Sequence, residues 1–134
     1  MSVIRSDRLP LRSEQDVVLA RQAVRKLSQE LTFSIVDQTK FVTAASELAR
    51  NTLIHGGGGD LEWEIVQRDG RNGLRLVFKD EGPGIPDIAQ AMTDGWTSGK
   101  GMGMGLSGSK RLVNEFEIES APGRGTRVVI TRWK

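Results

Sequence analysis

Between residues 13 and 31 the chain reads SEQDVVLARQAVRKLSQEL, with Val17, Ala20, Val24, Leu27 and Leu31 spaced alternately by three and four. That spacing predicts one apolar stripe on an amphipathic helix, with Ser13 as its N-cap. A second helix is expected from Ser34 to Ile54, with Ile35, Val42, Ala45 and Ala49 on its stripe; HGGGG at 55–59 must end it. There the period changes to two. LEWEI (61–65) alternates apolar and acidic residues, and LRLVFKD (74–80) sets Leu74, Leu76 and Phe78 on one face. RDGRNG between them carries the Asp-Gly and Asn-Gly pairs of a hairpin turn. A short helix is expected over 106–114, then strands FEIES (116–120) and TRVVITRW (126–133) around the turn APGRG. VIRSDRL (3–9) adds an edge strand. Helices early and hairpins late predict an α+β fold, a two-layer sandwich with helices on one face of a mixed or antiparallel sheet.

At 134 residues and 14.7 kDa the chain is expected to form one domain over 1–134, large enough for a real core. It has no cysteine, which excludes disulfides and thiolate metal sites. Apolar runs are short and no hydrophobic leader opens the sequence, so a soluble, cytoplasmic protein without a membrane partner is expected. The 19 basic and 17 acidic residues are interspersed, and no Lys/Arg block supplies a nucleic-acid track.

Three places break the local pattern. Asp80 shares the parity of Leu74, Leu76 and Phe78, which points a carboxylate toward the apolar face at a cost unless something satisfies it. DEGPGIP follows at once, forcing an irregular backbone beside an acceptor for a ligand N–H. Read alone, Asp80 equally starts a solvated turn. The second break is Asn51 in a helix interior, one turn after Glu47 within SELARN. The pair is either a solvated polar face or a carboxylate and amide that hold a water, a hydroxyl or a hydrated Mg²⁺. The third is GKGMGMGLSG (99–108), half of it glycine. It is no Walker A loop: GWTSGKG leaves three residues before Gly-Lys, and Gly101 stands where a hydroxyl is needed. It follows a turn rather than a strand, so it is no dinucleotide fingerprint. What remains is a flap whose backbone N–H groups face phosphates, or a flexible loop with two exposed methionines.

In order and spacing these segments resemble the GHKL ATP-binding superfamily of gyrase, the large heat-shock chaperone, histidine kinases and mismatch-repair ATPases. ELARN is similar to its N box, DEGPGI and GMGMGL to its two glycine boxes, and GRGT to its terminal Gly-x-Thr. SELARN, DEGPGIPDI and GLSGSKRLVNEF further resemble the small serine kinases that regulate sigma factors, in particular the stressosome switch kinases of the RsbT type. The likeness runs over about residues 10–133. It implies the Bergerat ATP-binding fold, ATP and Mg²⁺ as cofactors, and transfer of the γ-phosphoryl group to a protein serine. Asp80 would then accept the adenine amino group, with Gly82 and Gly84 letting the base lie against the backbone and Thr126 joining through water. Asn51 would bind Mg²⁺, and Glu47 would act as general base on the substrate hydroxyl. Gly101, Gly103, Gly105 and Leu106 would cradle the phosphates, with Lys100 an extra cation and Trp96 a reporter in the same lid. Met102 and Met104 imply nothing catalytic. Arg21 matches a partner-binding position.

The implied substrate is a STAS-domain antagonist, with a PP2C-type phosphatase or another downstream regulator as the second partner. Two alternatives stay open: an anti-sigma factor that sequesters a sigma factor, and a nucleotide-dependent binding module without phosphotransfer. Retention of Glu47 favours an enzyme. A complete histidine kinase is not expected, because the chain lacks a separate phosphoacceptor hairpin and its one histidine, His55, sits at a helix end.

Overall fold

The computed structural model of the chain describes residues 1–92 and 105–134. Strand β1 (Ser2–Leu11) leads into helix α1 (Glu14–Glu30), a four-residue connection and helix α2 (Ile35–Ile54). The hairpin β2 (Gly59–Arg68) and β3 (Arg71–Asp80) follows. A single turn, α3 (Ile88–Ala91), and a short helix, α4 (Gly105–Arg111), precede the strands β4 (Glu115–Ser120) and β5 (Thr126–Trp133). The five strands form one sheet in the order β1-β2-β3-β5-β4, every neighbouring pair antiparallel. The expected α+β layering is present, in its antiparallel form.

The two long helices start where their cap residues stand. Ser13 Oγ accepts from the Asp16 amide, and Ser34 Oγ accepts from the Asp37 amide, both at 3.1 Å. Val17, Ala20, Val24 and Leu27 of α1 and Val42, Ala45, Leu48 and Ala49 of α2 are buried against Leu61, Leu74, Leu76, Phe78 and Ile130 of the sheet. Ile35 departs from expectation. It is 75% exposed, and the buried stripe begins at Phe41; the first turn meets β5 through the polar Asp37–Arg132 pair and not through an apolar face.

The hairpin turn also corrects the sequence reading. Arg68 pairs directly with Arg71, so the loop is Asp69-Gly70 alone, with φ of +52° and +79°. Asn72-Gly73 belongs to β3. A Cβ on Gly73 would stand 2.6 Å from the Trp133 ring, which gives that glycine a packing reason instead of a turn reason. The last helix runs 105–111 instead of 106–114, and the chain leaves it through a turn pinned to β5 by Asn114 N–H donating to the Thr131 carbonyl at 3.0 Å.

Candidate functional site

Asp80 ends β3 at one edge of the helix–sheet interface, and three backbone segments fold around it. Its Oδ1 accepts from the Gly82 amide at 2.9 Å and from the Thr126 amide at 3.2 Å. Gly56, just past the end of α2, sits so close that an added Cβ would lie 2.3 Å from Asp80 Cγ and 2.5 Å from Oδ2. Gly82 packs on Gly56 in the same way, with 2.7 Å to its Cα, and Gly125 packs on the Asp80 carbonyl at 2.2 Å. The glycines here let three loops meet around one carboxylate. Gly84 at φ +77° does likewise, its missing Cβ directed at the Ala121 carbonyl.

Ser120 holds these loops in register. Its hydroxyl accepts from the Ile85 amide at 2.7 Å, donates to the Gly125 carbonyl at 2.9 Å, and lies 2.9 Å from Thr126 Oγ1. With its one proton committed to Gly125, Ser120 receives the Thr126 hydroxyl proton, which leaves Thr126 Oγ1 as an acceptor. Asp80 and Thr126 therefore present acceptors side by side, an arrangement suited to a ligand donor such as an amino group.

They line a cavity of about 390 Å³, within the range of small-molecule sites. Leu48, Phe78, Ile85, Leu106 and Val128 form its apolar walls, while Asn51, His55, Asp80 and Thr126 supply polar groups. An apolar cavity with paired acceptors in its wall suits a ring that carries an amino group.

Asn51 is half-buried in this wall, and Glu47 stands one helical turn earlier on α2. Glu47 is outside the cavity lining, but its Oε1 accepts from the backbone N–H of Gly105, a lining residue, at 3.4 Å. Burial pushes the Glu47 carboxyl above the ordinary glutamate range; the Gly105 amide and the Arg50 guanidinium pull it part of the way back. A partly desolvated carboxylate bonded to a residue of the cavity wall is a competent proton acceptor. Gly105 opens α4 at φ +63°, a backbone angle that favours glycine.

Glu47, Asn51, Asp80, Gly84, Gly105, Leu106 and Thr126 thus converge on one region, and Gly82 supports it from outside the wall. Arg21 lies half-buried on α1 and is not in the lining. Trp96, Lys100, Gly101 and Gly103 lie outside the described residues. Sequence reasoning missed His55, Gly56 and Ser120. Gly56 had a signal, its place in a four-glycine run after a helix. Ser120 had none, since its role depends on which loop the β4–β5 turn meets.

Residues 36–134 match the family described as histidine kinase-, DNA gyrase B-, and HSP90-like ATPase. The chain is 45% identical over 121 residues to the serine/threonine-protein kinase RsbT of Bacillus subtilis (strain 168), covering 90% of this chain and 91% of that protein. It is 30% identical over 131 residues to the anti-sigma F factor of Clostridium novyi (strain NT), covering 91% and 89%. The anti-sigma F factor of Thermoanaerobacter sp. (strain X514) is 31% identical over 127 residues, covering 92% and 89%.

Proposed function

The chain belongs to the histidine kinase-, DNA gyrase B- and HSP90-like ATPase family, and on that premise we propose that it is an ATP-dependent serine/threonine protein kinase that regulates a sigma-factor pathway by switching partners. The observation that carries this reading is Glu47 one turn from Asn51 and bonded to Gly105 beside the cavity, in a chain 45% identical to a named serine/threonine kinase over most of its length.

The roles we assign are these. Asp80 and Thr126 accept from the adenine amino group, and the apolar walls hold the ring. ATP supplies the phosphoryl group that is transferred. Asn51 would supply one oxygen to Mg²⁺, which would neutralise phosphate charge. Glu47 orients the substrate serine and takes its hydroxyl proton. To Gly105 and Leu106, with Lys100, Gly101 and Gly103 of the adjoining sequence, we assign phosphate binding. Arg21 meets the protein partner.

The substrate we assign is a STAS-domain antagonist, and the second partner a PP2C-type phosphatase or another regulator within a stressosome-type pathway. No described helix is long and apolar enough to cross a membrane; we place the protein in the cytoplasm. The likeness to anti-sigma F factors favours one second reading, sequestration of a sigma factor with phosphotransfer controlling release.

Capture of partners from lysate by the ADP-loaded and ATP-loaded protein, followed by phosphotransfer to each captured protein, tests the proposal. A STAS-domain protein labelled on serine supports it. A captured sigma factor moves the reading to the second one, and absence of label on every captured protein defeats both kinase readings.

A further inference from the structure

Arg132 interrupts the inward-facing side of β5. Val128 and Ile130 share its parity and are 4% and 0% exposed, yet the next inward position carries a guanidinium with a side chain only 15% exposed. Its Nε is buried with no hydrogen-bond partner among the described residues. An apolar side chain would avoid that cost, so the reason for arginine lies in what its other nitrogens join. Nη2 donates to Asp37 Oδ1 at 2.5 Å, and Nη1 donates to the Leu112 carbonyl at 3.0 Å. Asp37 is in the first turn of α2, and Leu112 follows the last residue of α4, where helix carbonyls lack internal partners.

One side chain therefore ties the end of α4 to the start of α2. At its other end α4 meets α2 again, through the Gly105 amide and Glu47. A helix of seven residues does not hold its shape by itself; beyond the burial of Leu106 and Ser109, these two ends hold it along α2. Asn114 fixes the same turn, but only to β5, its Oδ1 accepting from the Trp133 amide at 2.7 Å. Arg132 carries the fixation of this turn across to Asp37 of α2.

We propose that Arg132 is a positioning residue for phosphotransfer: through Asp37 and Leu112 it seats α4 along α2, and so holds Gly105 against Glu47 and Leu106 in the cavity wall. The catalytic half of this proposal rests on the kinase reading above.

Amide hydrogen exchange of the nucleotide-free protein tests the tether without relying on that reading. Arg132→Met should speed exchange over residues 106–112 by about tenfold or more relative to β2 and β3. Arg132→Lys should recover part of the protection, because an ammonium reaches one acceptor as a point charge. In phosphotransfer, Arg132→Met should lower kcat by about ten- to a hundredfold, the scale of a displaced catalytic group, and raise the KM for ATP while leaving that for the protein substrate. Should Arg132→Met fail to fold, Asp37→Ala removes the α2 link alone at a position 35% exposed, with the same exchange pattern expected. Exchange that rises equally in the sheet and in α4, with unchanged turnover per folded molecule, would overturn the proposal. Wild-type protein that transfers no phosphate would instead overturn the kinase reading and leave the tether to the exchange data.

Discussion

The backbone N–H of Gly105 points at Oε1 of Glu47 across 3.4 Å, so the residue that opens α4 also touches the carboxylate of α2. These residues are 58 positions apart in sequence, and the contact joins the two segments assigned to phosphate binding and to proton transfer. It also partly offsets the cost of burying that carboxylate.

The first prediction follows from this carboxylate. Glu47→Gln keeps an acceptor for Gly105 and removes the base, so ATP binding by calorimetry should persist while phosphotransfer falls by about 10²–10⁴-fold. In the wild type, a base lifted above the ordinary glutamate range makes kcat/KM rise with pH through that lifted value. A low-pH limb in the ordinary glutamate range would remove Glu47 from the role.

The same substitution has a stability signature. Between the unfolded glutamate pKa and the higher folded one, the folded state binds more protons, so stability falls as pH rises through that window. At neutral pH the whole penalty is present. Glu47→Gln should therefore raise Tm at neutral pH, and the gain should shrink as pH falls from the lifted folded value toward the ordinary glutamate range and be gone below it.

Asp80→Asn separates fold from ligand recognition. An asparagine Oδ1 can still accept from the amides of Gly82 and Thr126, so the loops should stay in place and the melting curve should barely move. Its Nδ2 replaces Oδ2 and turns a donor toward a ligand donor. ATP affinity should fall by about 1–3 kcal/mol, the cost of an unpaired buried group. Calorimetry returning wild-type affinity would dissociate Asp80 from nucleotide binding.

Much of this architecture could be read from the residues. The stripes of α1 and α2 and the alternation of β2 and β3 are consequences of local period, and Asp80 stood out because a charge occupied an apolar parity. Ile35 shares the period of the α2 stripe but not its burial, because periodicity gives the face of a helix and not how far along it the apolar contact runs. Asn72-Gly73 has a turn's composition, yet the indole of Trp133, 60 residues away on β5, supplies the reason for its glycine. Cavity residues on loops, His55 and Gly56 above all, became visible only once the loop after α2 was seen against the end of β3.

Gly56 supplies a further prediction, independent of charge. Gly56→Ala places a Cβ 2.3 Å from Asp80 Cγ, in a backbone segment already packed closely with Gly82. The carboxylate must shift out of its bonds to Gly82 and Thr126. ATP binding should weaken at least as much as in Asp80→Asn, although the carboxylate is retained, and here the melting temperature should fall too. Unchanged affinity with a lowered Tm would mean that the position of Asp80 does not matter to the ligand.

The last prediction lies on the outer face of the sheet, away from the cavity. Trp133 Nε1 donates to Glu115 Oε2 at 2.6 Å, and Arg68 stacks on the indole at 4.4 Å while donating to the same carboxylate. The indole N–H is the main cause that holds the Glu115 carboxyl below the ordinary range; Arg68 adds to it, and partial burial opposes it. A carboxyl lowered in the folded state contributes stability above its unfolded pKa and loses it as pH falls from there through the lowered value. Trp133→Phe keeps a ring over Gly73 but removes the donor. It should cost about 1 kcal/mol at neutral pH, the lower end for such a bond because Glu115 is half in solvent. Urea denaturation at neutral pH and again below the ordinary glutamate range should show that difference shrinking on acidification. A deficit that stays constant with pH would assign the loss to packing on Gly73 and not to the Trp133–Glu115 bond.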